Sequence, residues 1–127
     1  VCDLFNLPLV LSFWFTRGGD CEVQQDAFEA AYRRHAGEAN FLAINVRDDR
    51  QRVTELIAER GWTHPIGLDP DGALSNLYRV GGCPTFLYAY PGGILADTSV
   101  GELSADELSA RVERLVRESR ERVATVR

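Results

Sequence analysis

The run Leu9-Val10-Leu11-Ser12-Phe13-Trp14-Phe15 constrains this chain most. It is aliphatic and aromatic throughout and too short for an ordinary helix, so it predicts a strand buried on both faces. The polar turn Thr16-Arg17-Gly18-Gly19 breaks it, and Asp20-Cys21 follows. Asp20 is placed to cap a helix by accepting from a free backbone N–H of the first turn. A strand that delivers a thiol to a helix start is a layout suited to thiol chemistry. The unpaired N–H groups and the helix dipole there favour a thiolate.

A chain of 127 residues predicts one domain over residues 1–127, long enough for a real core. With 45% hydrophobic and 26% charged residues it reads as a globular protein. Net charge is −5 and all 14 basic residues are Arg, a balance that argues against nucleic acid as a partner. No apolar run approaches the roughly 18–20 residues of a membrane span, and no signal peptide is visible. Because Val1 lies so near the first core strand, removal of an upstream signal or anchor stays compatible with this reading. Three cysteines are too few for a disulfide scaffold and lack zinc-ligand spacing. Cys2, in the lead-in to the first strand, reads as an incidental thiol.

Helical spacing continues from Cys21 to about His35. Phe28, Ala31 and Tyr32 follow Cys21 by seven, ten and eleven residues, which puts all four on one face. That stripe places Cys21 under cover, whereas the cap places it in an accessible first turn; both readings stand at this stage. Phe41–Val46 predicts the second core strand. Asp48 or Asp49 would cap a helix running to about Arg60, with Val53, Leu56 and Ile57 inward and Gly61 ending it. A short strand over 65–69, a Pro70-Asp71-Gly72 turn and a helix over 73–78 come next, the last with Leu74, Leu77 and Tyr78 inward. Thr85–Tyr90 and Ile94–Val100 form a hairpin about Pro91-Gly92-Gly93. Ser104-Ala105-Asp106-Glu107 is a capping box, opening a last helix to roughly Arg122 with Leu108, Val112 and Leu115 inward. His35, at a helix end, and His64, before Pro65, read as structural or surface residues. No metal constellation is present.

The Phe13-Trp14…Cys21 segment and Val80-Gly81-Gly82-Cys83-Pro84-Thr85-Phe86 together resemble the thioredoxin-fold redoxins, above all the TlpA/ResA-like thiol-disulfide oxidoreductases. Their strand ends Phe-Trp-x-x-x-Cys-x-x-Cys, and their second signature is Val-x-Gly-x-Pro-Thr-x-Phe. The resemblance covers about Leu9 to Leu115. It implies an α/β fold with a central mixed sheet flanked by helices, carrying an extra helix-strand unit over 48–69 that plain thioredoxin lacks. Two departures matter. Gly18 falls on the first cysteine of the CxxC, and Ser12 replaces the buried acid that thioredoxin carries before its aromatic pair. By the same resemblance Pro84 is cis and Cys83 faces the Gly18–Cys21 loop.

The expected function is therefore thiol-disulfide exchange in a non-standard form, with Cys21 as the leading thiol and Cys83 as its partner. Pro84, Thr85, Arg17 and Trp14 would shape a substrate groove, with Phe15 and Trp62 as further candidates for its flank. The plainer alternative for the two cysteines is a pair of small unlinked side chains filling space. Expected partners are a protein or small-molecule thiol or disulfide and a thiol electron donor, with no cofactor or metal; a place outside the bacterial cytoplasm would follow from the family. Two other functions remain at this stage. One is a redox-inactive thioredoxin-like binding module that takes an extended peptide along its groove. The other is a one-cysteine peroxiredoxin-like peroxidase, suggested by Arg17-Gly18-Gly19-Asp20-Cys21.

Overall fold

The structure, a computed structural model, describes residues 6–17 and 20–126. The readings that fall on Cys2, on Gly18-Gly19 and on the Asp20 side chain lie outside what it describes. Five strands form one sheet: β1 Leu9–Trp14, β2 Asn40–Val46, β3 Ile66–Asp69, β4 Thr85–Tyr90 and β5 Ile94–Val100. Four helices accompany them: α1 Gln24–Arg34, α2 Arg50–Arg60, α3 Ala73–Leu77 and α4 Ala105–Val126. The sheet order is β3-β2-β1-β4-β5. β1 runs parallel to β2 and antiparallel to β4, β2 is parallel to β3, and β4 and β5 make an antiparallel hairpin. This is the mixed sheet flanked by helices that the resemblance implied.

β1 is central, and all six of its residues are buried. Successive side chains of a strand point to opposite faces, so the run divides its apolar content between two cores. Val10 and Trp14 join Phe28 and Ala31 of α1, Val53 and Leu56 of α2, and Leu108, Val112 and Leu115 of α4. Leu9, Leu11 and Phe13 join Ile44, Leu87 and Ala89 on the other side. Aromatic rings fill the larger core: Phe28 meets Phe41 edge-on at 5.4 Å between centroids, and Trp14 meets Trp62 at 5.4 Å. Trp62 is thus a core residue rather than part of a groove.

Local signals explain most element ends. Gly61 adopts φ 69° at the end of α2, and its N–H returns to the Ile57 carbonyl at 2.9 Å. Ser104 and Glu107 exchange their side chains across the start of α4, at 3.1 Å and 2.9 Å. Three expectations are corrected. Cys21 lies not in α1 but in a single 3-10 turn, Asp20–Val23, that leads into it. Asp49 occupies the position before α2 without a capping bond, and Asp48 turns its carboxylate elsewhere. Leu74, Leu77 and Tyr78 are exposed, Leu77 by 73%. Only five residues long, α3 buries Ser75 alone and is held from its N-terminal end instead. The buried Asp69 carboxylate accepts from the Leu74 and Ser75 N–H groups at 3.1 Å and 2.9 Å. Among the described residues no helix is long and apolar enough to cross a membrane.

A buried polar chain ties α1 to the link between α2 and β3. Glu29 accepts from Thr63 N at 2.6 Å, from His64 N at 2.9 Å, and from the Thr63 hydroxyl and Arg33 Nε. His64 Nδ1 lies 2.8 Å from the same carboxylate and Nε2 lies 3.0 Å from Gln25 Oε1. The Gln25 amide in turn reaches the Ser12 hydroxyl at 2.8 Å. Burial alone would raise the Glu29 pKa, but the hydrogen bonds from Thr63, Arg33 and His64 together outweigh it and bring the pKa down to about 2. For His64, burial pushes the imidazole pKa below its ordinary value, and it does so against the pull of Glu29.

Both shifts make the fold acid-sensitive. A carboxylate whose pKa falls from 4.5 to about 2 on folding stabilises the protein above pH 4.5, and this is lost as pH falls from 4.5 towards 2. A histidine whose pKa is lowered on folding adds a loss in the same direction, beginning below 6.5. Glu29→Gln should therefore cost about 2–3 kcal/mol at neutral pH and flatten the stability profile between pH 4.5 and 2. Urea titrations of both proteins across that range measure the effect.

Candidate active site at the end of the central strand

The chain leaving β1 is fastened by one carboxylate. Asp48 accepts from Thr16 N at 2.8 Å, from the Thr16 hydroxyl at 2.8 Å, from Arg17 Nη1 at 3.1 Å and from Asn45 Nδ2 at 2.8 Å. Its own N–H returns to Asn45 Oδ1 at 3.1 Å. The other end of the Arg17 guanidinium donates to the Val46 carbonyl at 3.0 Å, and its plane lies 5.2 Å from the Phe15 ring centre. The Arg17 charge is thus paired with Asp48.

Beyond this anchor, the 3-10 turn brings Cys21 against the loop that enters β4. Cys21 and Cys83, 62 residues apart in sequence, form a disulfide with Cα atoms 5.9 Å apart. That separation lies inside the range a disulfide requires. The peptide bond between Cys83 and Pro84 is cis. The loop is held from three directions. Val80 N–H reaches the Ser75 carbonyl at 2.8 Å, the Thr85 hydroxyl reaches the Gly82 carbonyl at 2.6 Å, and Gly101 N–H reaches the Pro84 carbonyl at 3.0 Å. Gly82 is needed here by close approach, because a Cβ at that position would stand 2.8 Å from Val100 Cγ1.

The two cysteines differ in surroundings. Cys21 is 5% exposed and packs within the larger core. Cys83 is half-buried, and its sulfur lies 4.0 Å from the Phe15 carbonyl oxygen. It lines a cleft of about 270 Å³ with Phe13, Trp14, Phe15, Arg17 and Val46, closed on the far side by the 75–82 segment. Of the residues expected at the site, Phe15, Arg17 and Cys83 border the cleft, whereas Trp14, expected to shape the groove, is fully buried in the core beneath it. Pro84 and Thr85 are buried behind it. Glu22, beside Cys21 in sequence, has its charge met by Arg52 at 3.9 Å.

Several contributors were not singled out from sequence. Asp48 lies about thirty positions from Thr16 and Arg17, and no local spacing announces those contacts. Gln25 and Glu29 carried a usable signal, since they are polar residues four apart on the face that also bears Phe28. Replacing Asp48 by Ala leaves the Thr16 N–H and the Asn45 amide without their acceptor. It should cost about 1–3 kcal/mol, read as a lower urea midpoint, while the Cys21–Cys83 bond still forms.

No family model matches the chain. It is 25% identical over 107 residues to the thiol-disulfide oxidoreductase ResA of Oceanobacillus iheyensis, covering 84% of this chain and 56% of that protein. It is 26% identical over 103 residues to sporulation thiol-disulfide oxidoreductase A of Bacillus subtilis, covering 78% of this chain and 62% of the relative. The chain thus spans less than two thirds of the length of either relative. Among solved structures it superimposes on MTB DsbF, described in mixed oxidised and reduced forms, with a TM-score of 0.79 at 25% identity, over 89% of this chain and 84% of that one. With its sheet order, these likenesses show a thioredoxin-like fold, similar in sequence to the ResA-type thiol-disulfide oxidoreductases.

Proposed function

We propose that this protein is a thiol-disulfide oxidoreductase whose redox centre is the Cys21–Cys83 pair in place of a CxxC. The observation that carries the reading is the disulfide itself, formed between the turn opening α1 and the residue before the cis proline, at the rim of a cleft. The sulfur–sulfur bond is itself the two-electron acceptor for exchange and the dithiol the donor, so the reaction calls for no bound cofactor. Phe15 and Arg17 supply the walls against which a substrate rests, and Pro84 and Thr85 hold the loop that presents Cys83. Substrates are protein or small-molecule thiols and disulfides, with a thiol donor to complete the cycle. The activity belongs to one thioredoxin-like domain over residues 1–127. An oxidising setting outside the cytoplasm suits a disulfide that is to stay formed between turnovers, and the oxidoreductases among the relatives support the same reading.

Two alternatives fall behind. A one-cysteine peroxidase requires a free, accessible thiolate at Cys21, whereas Cys21 is bonded and buried. A redox-inactive module has no need of a disulfide beside its groove.

Thiol titration of the unfolded protein should find one free thiol before reduction and three after it, since two of three cysteines are paired. Three thiols in the air-oxidised protein would end the reading. The oxidised protein should convert a dithiol peptide to its disulfide, and either Cys21→Ser or Cys83→Ser should lower that rate to the uncatalysed background. Chromatographic separation of the reduced and oxidised peptide measures it.

A further inference from the structure

Gly18 stands where the redoxin pattern has the first cysteine of its CxxC, so the sulfurs of the bridge are those of Cys21 and Cys83. Of the two sulfurs in the bridge, one is covered and one borders a cavity. Cys21 is 5% exposed and is not among the residues lining the cleft. Cys83 is half-buried and lines it.

Resting on the exchange function proposed above, we infer that Cys83 is the sulfur that exchanges with substrate and Cys21 the buried resolving one, so that the attacking thiol is presented by the cis-proline loop rather than by the helix. In the oxidising direction a substrate thiolate enters between Phe15, Arg17 and Val46 and attacks Cys83 Sγ. A substrate–Cys83 disulfide forms, the Cys21–Cys83 bond breaks, and Cys21 leaves with the electron pair and takes a proton from solvent. A second substrate thiolate then attacks the substrate sulfur of that mixed disulfide. The substrate disulfide forms, Cys83 leaves and is protonated, and the protein holds the two electrons as a dithiol.

Position supports this direction, because attack requires access to the sulfur attacked. Cys83 has the cleft in front of it and, as a thiol, the Phe15 carbonyl within reach as an acceptor. The reverse assignment asks a substrate to reach a sulfur buried in the larger core.

The test uses the full chain with Cys2→Ser, so that only the pair reacts. The oxidised protein is mixed with excess glutathione, quenched with acid and alkylated, and the adduct is located by peptide mass spectrometry. Glutathione should be found on Cys83 over Cys21 by roughly tenfold or more. In parallel, the further variants Cys21→Ser and Cys83→Ser are exposed to glutathione disulfide. The first, which keeps Cys83, should react about tenfold faster than the second. Adduct chiefly on Cys21, equal rates, a faster Cys83→Ser variant, or two inert variants would each overturn the inference. Adduct on Cys21 with dithiol-peptide oxidation intact overturns the assignment while exchange stands; a disulfide that no dithiol reduces overturns both.

Discussion

The central strand is the constraint on which the rest is arranged. β1 is bonded on one side to β2 and on the other to β4, and none of its residues reaches water. A strand in that position needs apolar side chains towards both faces, and each fully buried large one contributes on the order of 1.5–3 kcal/mol. Where the apolar run stops, the chain must leave the sheet between its two neighbours. The Cys21–Cys83 disulfide is built at that exit. The turn carrying Cys21 leaves from β1, and the loop carrying Cys83 enters β4 alongside it.

Three buried carboxylates hold what surrounds that exit. Asp48 gathers the chain after β1, Asp69 starts α3 beneath the cleft, and Glu29 pins the link between α2 and β3 to α1. Each accepts several hydrogen bonds, at least two of them from backbone N–H groups in the cases of Asp69 and Glu29. A buried charge is tolerable only when satisfied in this way. Cys83 therefore stands on a frame of short polar ties, and Cys21 is embedded in the larger core.

Much of this was readable in the sequence. The order of elements, the hairpin, the Gly61 terminus and the Ser104–Glu107 cap all come from signals a few residues wide, and local chemistry is enough to specify them. Cys21 and Cys83 were also legible as partners, through the resemblance of two separate segments to one family. The inward face assigned to α3 was not, because helical spacing says which residues share a face and not whether anything lies opposite it. In α3 the face with Leu74 and Leu77 meets solvent, and the anchor is Asp69 from outside the helix. The anchoring roles of Asp48 and Glu29 rest on Thr16, Arg17, Thr63 and His64, which lie more than thirty positions away.

The amino-acid sequence by itself determined that a buried strand ends in a thiol-bearing turn, that a second cysteine precedes a proline in a redoxin signature, and that helices and strands alternate around them. These follow from periodicity, capping and backbone chemistry, which act over short stretches. Only the tertiary structure decided that the two sulfurs are joined, which of them borders the cleft, and that Ser12, Gln25, His64 and Glu29 form one polar chain. Burial and long-range contact are properties of how faces meet, and no window along a chain contains both faces.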